Sequence, residues 1–126
     1  MPFDGTDQGR KPAAIRKIDE MIAFYSVDYP TWATNTFYCG QRYNPKALCL
    51  RGAVNYFVCS DPVVKFPSLR KDGSLWREIH NGMRATAKRY YNTRSYIKVN
   101  DRYLANRADV IRFLRRTQDH LHQAQA

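Results

Sequence analysis

Four stretches of this chain repeat apolar residues at spacings of three and four, and each is bounded by proline, glycine or an Asn/Asp turn pair. That period places the apolar side chains on one face of a helix, so the pattern demands several amphipathic helices sharing a core. In the first stretch Ile15, Ile18, Ile22 and Tyr25 recur with Met21 beside them, while Arg16, Lys17, Asp19 and Glu20 fall on the other face. Pro12 suits its first turn, and Tyr29-Pro30 stops it, since the residue before a proline is pushed out of the helical region. A second helix is predicted from Asn44-Pro45, read as a cap and a first-turn proline, through Leu48, Leu50, Val54 and Val58 to Ser60-Asp61-Pro62. Gly52 inside it marks the close approach of another element. Ser74 is expected to cap a third helix with Trp76, Ile79, Met83, Ala87 and Tyr90 as its buried stripe, ending at Asn92-Thr93. The last opens at Asn106, where Asp109 completes a capping box, and runs through Val110, Ile111 and Leu114 to Leu121.

Between these stretches, residues 34–39 and 95–99 carry β-prone alternation and predict at most a short two-stranded element. The expected fold is therefore mainly α, a small single domain of about four helices over 12–122, with a flexible tail at 1–11 and a frayed end at 123–126. A chain of 126 residues suits one core, and 13% aromatic residues exclude a disordered polymer. The apolar runs are too short to span a bilayer, which needs about 20 residues. The start Met1-Pro2-Phe3-Asp4-Gly5 lacks the basic and apolar regions of a signal peptide, and three cysteines suit a reducing compartment. No membrane association and a cytoplasmic address in a bacterial host cell are expected.

Charge is distributed unevenly. Residues 1–64 hold seven basic and six acidic side chains, whereas 65–116 hold fourteen basic and four acidic, within a net charge of +10. Such a cationic half predicts a polyanionic partner, either nucleic acid or an acidic protein surface. Arg84, Lys88 and Arg89 on the third helix, Arg94 and Lys98 in the connection, and Arg112, Arg115 and Arg116 on the last helix are the candidate phosphate contacts, gathered into one docking plane. Tyr91 and Tyr96 are the candidate base contacts, because exposed rings stack on unpaired bases and so favour single strands or RNA.

Enzyme chemistry finds weaker footing. Cys39, Cys49 and Cys59 are ten residues apart, and no tight turn would aim two of their sulfurs at one ion, so no metal site is expected. Cys49 activated by His80 and oriented by Asn100 or Asp101 would form a Cys-His-Asn type of site. Its place in the middle of an apolar helix instead predicts an inert small hydrophobe. His80 is expected to be half-buried and hydrogen-bonded, and His120 and His122 solvated. Glu78, Asp101 and Asp109, among the cations of the basic half, are too few to converge on catalytic metals. There is no phosphate-binding glycine loop and no cofactor signature.

Ala47-Leu48-Cys49-Leu50-Arg51-Gly52-Ala53-Val54, preceded by Trp32, resembles the Cys-Leu-x-Gly-Ala-Leu signature of a small uncharacterised domain family from bacteria and phages. Val99-Asn100-Asp101, followed by Asp109-Val110-Ile111 and Leu114, resembles its second signature, a Trp-Asn-Asp turn leading into the C-terminal helix, with Val99 standing where the family carries Trp. The resemblance spans about residues 15–116 and implies a small, mainly helical domain, often carried by phages, with no settled activity. Physically both segments read as packing devices, small residues beside a helix and a turn closed by side-chain hydrogen bonds. The alternative is a buried polar site around Asn100 and Asp101. Taken together, the sequence points to a non-enzymatic, nucleic-acid-associated accessory protein of a phage or mobile element. A protein-binding inhibitor or adaptor, and a cysteine-dependent enzyme, are the competing classes.

Overall fold

The computed structural model describes residues 12–124. The predicted tail at 1–11 and the last two residues of the predicted frayed end lie outside them. The architecture is mainly α. Helices α1 (Ala13–Ser26), α2 (Leu50–Cys59), α3 (Gly73–Tyr91) and α4 (Arg107–Ala124) pack around one core, and a two-stranded antiparallel sheet of β1 (Tyr38–Gln41) and β2 (Asn44–Leu48) lies between α1 and α2 in sequence. Helix α4 lies against α1 and α3, and α2 also packs on both. Ile18, Met21, Leu50, Val54, Ile79 and Met83 fill the centre with Phe113 and Leu114 of α4. None of the described helices is long and apolar enough to cross a membrane.

Helix α1 begins where the sequence predicts, with Pro12 offering its carbonyl to Arg16 N at 3.0 Å. It ends at Ser26, before Tyr29-Pro30, and the Arg107 guanidinium covers its last turn by donating to the Tyr25 and Val27 carbonyls. A cation there also complements the helix dipole.

The second predicted helix is corrected at its start. Asn44–Leu48 is a strand paired with Tyr38–Gln41 across the two-residue turn Arg42-Tyr43, with a bulge at Cys39/Gly40 where Gly40 takes φ of 91°. Pro45 fits because a two-stranded ribbon leaves one edge of each strand without ladder bonds, so its missing N–H costs little. Leu48 bonds backbone to backbone with Thr31 and Ala33 on its other side, which commits the segment to extended structure. Helix α2 then starts at Leu50, with Cys49 at its N-cap. Gly52 is the point of close approach that the sequence predicts: a Cβ there would sit 2.0 Å from the Phe37 carbonyl oxygen.

The predicted strand at 95–99 is also corrected. Tyr96–Lys98 forms one helical turn that continues into a π-helical turn over Val99–Tyr103. Tyr96, Val99 and Asn100 are buried together, so the operative spacing is three and four rather than two. Helix α3 begins one residue before Ser74, with Asp72 at its N-cap and no side-chain cap. Its stripe is buried from Trp76 to Ala87, but Tyr90 is exposed. Asn92 ends it in the left-handed conformation, which asparagine tolerates at this position. At α4 the predicted box is half formed: Asp109 N donates to Asn106 Oδ1 at 3.0 Å, but Asp109 Oδ2 accepts from Ala105 N at 2.9 Å, one residue before the cap. The helix continues through Ala124, past the predicted fraying point, because Leu121 is buried and sits against Gly82 of α3.

Candidate anion-binding surfaces

The cations of the second half are not gathered into one plane. On α3, Arg77, Arg84 and Lys88 follow one another at spacings of seven and four, which aligns them on a single stripe. Arg89 lies five residues from Arg84, about 140° around the helix, on the other shoulder of the buried face. There it meets α4. The Arg116 guanidinium lies 4.0 Å from the centre of the Tyr90 ring and that of Arg89 5.5 Å from it, in a groove that His120 and Asp119 share.

The stripe side is different in kind. Arg84 and Arg94 line a cleft with Arg51 of α2, closed below by His80 and Tyr96. Trp76 forms the floor beneath. The Arg51 guanidinium stands 5.2 Å from its ring centre, and the His80 imidazole stacks on it at 4.4 Å with planes 15° apart. Asn55 fixes the indole by accepting from Trp76 Nε1 at 2.9 Å while donating to the Pro62 carbonyl at 3.0 Å. Among the described residues, no carboxylate pairs with Arg51, Arg84 or Arg94, and the Arg51 Nε is buried without a hydrogen-bond partner.

This surrounding sets the protonation of the cleft. Burial pushes the His80 pKa down to about 4, with the Arg51 and Arg84 charges acting in the same direction, so the imidazole is neutral at pH 7. Its Nδ1 is 2.7 Å from the Tyr96 hydroxyl, and burial raises the phenol well above its ordinary value, opposed by Arg51. The half-buried, hydrogen-bonded histidine expected from sequence is found. Tyr96 is a correction: only 2% exposed and engaged with His80, it cannot offer a face to a base.

The other predicted contacts divide among separate surroundings. Tyr91 is half-buried and stacks on Tyr103 at 5.8 Å, leaving Tyr103 as the open ring of the pair. Lys88 is exposed and donates to Asn92 Oδ1 at 2.9 Å. Lys98 lines a separate groove with Arg102, Asp101 and Asn35. Arg112 pairs with Asp109 at 2.9 Å, and Arg115 reaches Asp19 at 3.8 Å and Gln118 at 3.5 Å. The last two are therefore partly neutralised from within. Arg51 and Trp76, which organise the cleft, were not among the predicted site residues. The signal for Arg51 is its position as the lone charged residue of the run Ala47–Val58.

Asn100 joins the segment Val99-Asn100-Asp101 to Trp32 and to the first turn of α2. Its Oδ1 accepts from Trp32 Nε1 at 2.8 Å and from Leu50 N at 3.1 Å, and its Nδ2 donates to the Ala33 carbonyl at 3.0 Å and to Asp101 Oδ1 at 2.8 Å. A side-chain amide has two donor and two acceptor positions, and all four are used. Asp101 in turn accepts from Asn35 N at 2.9 Å. Asn100 thus acts as a cap for α2 supplied from far along the chain. Cys49 stands beside it at the N-cap rather than in mid-helix, a correction to its predicted place. Its Sγ accepts from Gly52 N at 3.3 Å. Burial nonetheless pushes the thiol up, with Asp101 adding to the effect against the Gly52 and Arg51 amides. The bonds that engage the two groups lead elsewhere, His80 Nδ1 to the Tyr96 hydroxyl and Cys49 Sγ to Gly52 N.

Among the described residues, no three His, Cys, Asp or Glu side chains gather as metal ligands. No protein-family model, curated protein or solved structure matches the chain.

Proposed function

We propose that this protein is a non-enzymatic accessory protein that binds single-stranded nucleic acid through the cationic stripe of α3 and its flanks. The observation that carries the reading is pairing. Arg84 and Arg94 stand free of carboxylates on one side of α3, while Arg112 and Arg115 of α4 are engaged with Asp109 and Asp19. Phosphates would meet Arg84, Lys88 and Arg94, with Arg89 and Arg116 on the second shoulder. Tyr90, 43% exposed and flanked by those two guanidinium groups, and Tyr103, 48% exposed, are the rings available for stacking. Tyr96 is not among them.

Binding of this type releases counterions, and the logarithm of affinity falls with that of salt at about −0.7 per phosphate contact on a single strand. Filter binding across a salt series should therefore give a slope of roughly −3 for four to five contacts. Lys88→Gln should flatten it by about 0.7. Affinity independent of salt would overturn the reading.

A second reading, an adaptor docking on an acidic protein, has one specific support. Phe66 and Leu69 are 71% and 80% exposed on a turn that Arg77 braces by donating to the Ser68 carbonyl at 3.1 Å. Lys65, Arg70 and Lys71 flank the two side chains. Pull-down after nuclease treatment separates the classes. A partner lost on treatment favours nucleic acid, and one that survives and depends on Phe66 favours the adaptor.

A further inference from the structure

Three chain segments that are remote in sequence bring a guanidinium group each to one cleft: Arg51 from the first turn of α2, Arg84 from the middle of α3, and Arg94 from the connection after it. Like charges brought together repel, and such an arrangement is favourable when an anion sits among them. No carboxylate lines the cleft. Ser95 at the rim accepts from Lys98 N at 3.2 Å, which leaves its hydroxyl hydrogen available to donate.

The dimensions narrow the ligand further. The free volume is about 90 Å³, far below the roughly 300 Å³ at which pockets for drug-sized molecules begin. Trp76 and Tyr96 are buried to 6% and 2% exposure, so neither ring offers an open face to a base. The cleft therefore suits a compact anion with several acceptor oxygens and more than one negative charge. A backbone phosphodiester carries a single charge, whereas a phosphomonoester carries about −1.5 to −2 at pH 7 and three strong acceptor oxygens.

We propose that the cleft of Arg51, Arg84 and Arg94 is a pocket for a phosphomonoester, with a terminal phosphate of a nucleic-acid strand as the source implied by the function proposed above, on which this inference rests. It assigns Arg51 and Arg94 to the strand end, while internal phosphates lie along α3.

The test compares one oligonucleotide with a 5′-hydroxyl, a 5′-phosphate or a 3′-phosphate end by fluorescence anisotropy, together with calorimetry using inorganic phosphate and a nucleoside monophosphate. One phosphorylated end should bind at least about tenfold more tightly than the hydroxyl strand, the scale of one charge-assisted hydrogen bond. Arg51→Gln and Arg94→Gln should bring that ratio close to one, while Lys46→Gln on the hairpin leaves it unchanged. Arg94 is exposed, so its variant keeps the test valid if loss of the Arg51–Trp76 contact impairs folding. Equal, salt-dependent binding of all three strands overturns the pocket and spares the nucleic-acid reading. Binding of the small phosphates that requires Arg51, with no strand bound, supports the pocket and overturns that reading. Absence of binding in every arm overturns both.

Discussion

Replacing Asn100 by Ala removes an amide that is wholly buried and fully hydrogen-bonded. Its four partners do not suffer equally. Trp32 is half-buried and can turn its Nε1 toward water, and Asp101 keeps Asn35 N as a donor. Leu50 N and the Ala33 carbonyl belong to buried residues and lose their side-chain partner outright. Leaving a buried donor or acceptor unmatched costs about 1–3 kcal/mol each, so the variant should lose ~2–6 kcal/mol, centred near ~4. That is a large fraction of the 5–15 kcal/mol that typical domains possess. For a chain of this length it corresponds to a fall in Tm of roughly 12–16 °C. Urea unfolding followed by circular dichroism measures it as a lower midpoint at constant slope. Asn100→Asp sharpens the test. The new carboxylate would keep the Trp32 and Leu50 bonds but point its other oxygen at the Ala33 carbonyl and the Asp101 carboxylate. Its folded-state pKa would be raised above the unfolded value of about 3.9. The resulting penalty is absent below that unfolded value, grows as pH rises, and is complete above the raised one. The Asp variant should therefore recover stability relative to the native protein near pH 4, and the Ala variant should not. A loss under about 1 kcal/mol for Asn100→Ala, small against the ~1–3 kcal/mol of even one orphaned group, would refute the assignment of Asn100 as the cap of α2.

Two further outcomes follow from burial and charge. His80, with its folded pKa lowered to about 4 from 6.5, should stay neutral until well below pH 5 in phosphate-free buffer. The unfolded chain takes up that proton first, so stability is full above pH 6.5 and declines as pH falls toward 4; an imidazole midpoint at 6 or higher by NMR, identified with His80→Gln, would contradict the described surroundings. Thiol labelling of the native protein should modify exposed Cys39 quickly, Cys59 more slowly because burial raises its thiol, and Cys49 only on unfolding. Rapid labelling of Cys49 would revive the cysteine-dependent enzyme.

The stripes of α1, α3 and α4 were legible in the sequence because each spans several turns and a 3.6-residue period accumulates. The start of α2 was not, because Asn44-Pro45 has two readings. It serves equally as a helix cap with a first-turn proline and as the first residues of an edge strand, and only the pairing with Tyr38–Gln41 and the bonds of Leu48 to Thr31 and Ala33 decide between them. At 96–103 the residue types misled: Tyr96, Ile97 and Val99 favour strands, but burial of 96, 99 and 100 on one side overrides that local preference. The Asn100 cap is long-range, so no window around Leu50 contains the residue that completes its helix.

Charge behaved differently, since its sign is local and its availability is tertiary. The excess of cations in the second half was plain, and the Asp109–Arg112 pair could be anticipated from a spacing of three on one helix. Asp19, which engages Arg115, lies on α1, and the pairing arises only when α4 packs there. Tyr96 sits among cations in sequence yet points into the core, whereas Tyr90, assigned to the buried stripe, stands outside between Arg89 and Arg116. Arg51 carries the same lesson in reverse. It belongs to the half with nearly balanced charge, so counting by halves hides it, and it joins the cationic surface only because α2 packs against α3 over Trp76. The relevant quantity is thus the number of cations left without a carboxylate after packing. By that measure the proposed anion-binding face centres on α3 and the first turn of α2, and the arginines of the last helix would contribute chiefly through Arg116.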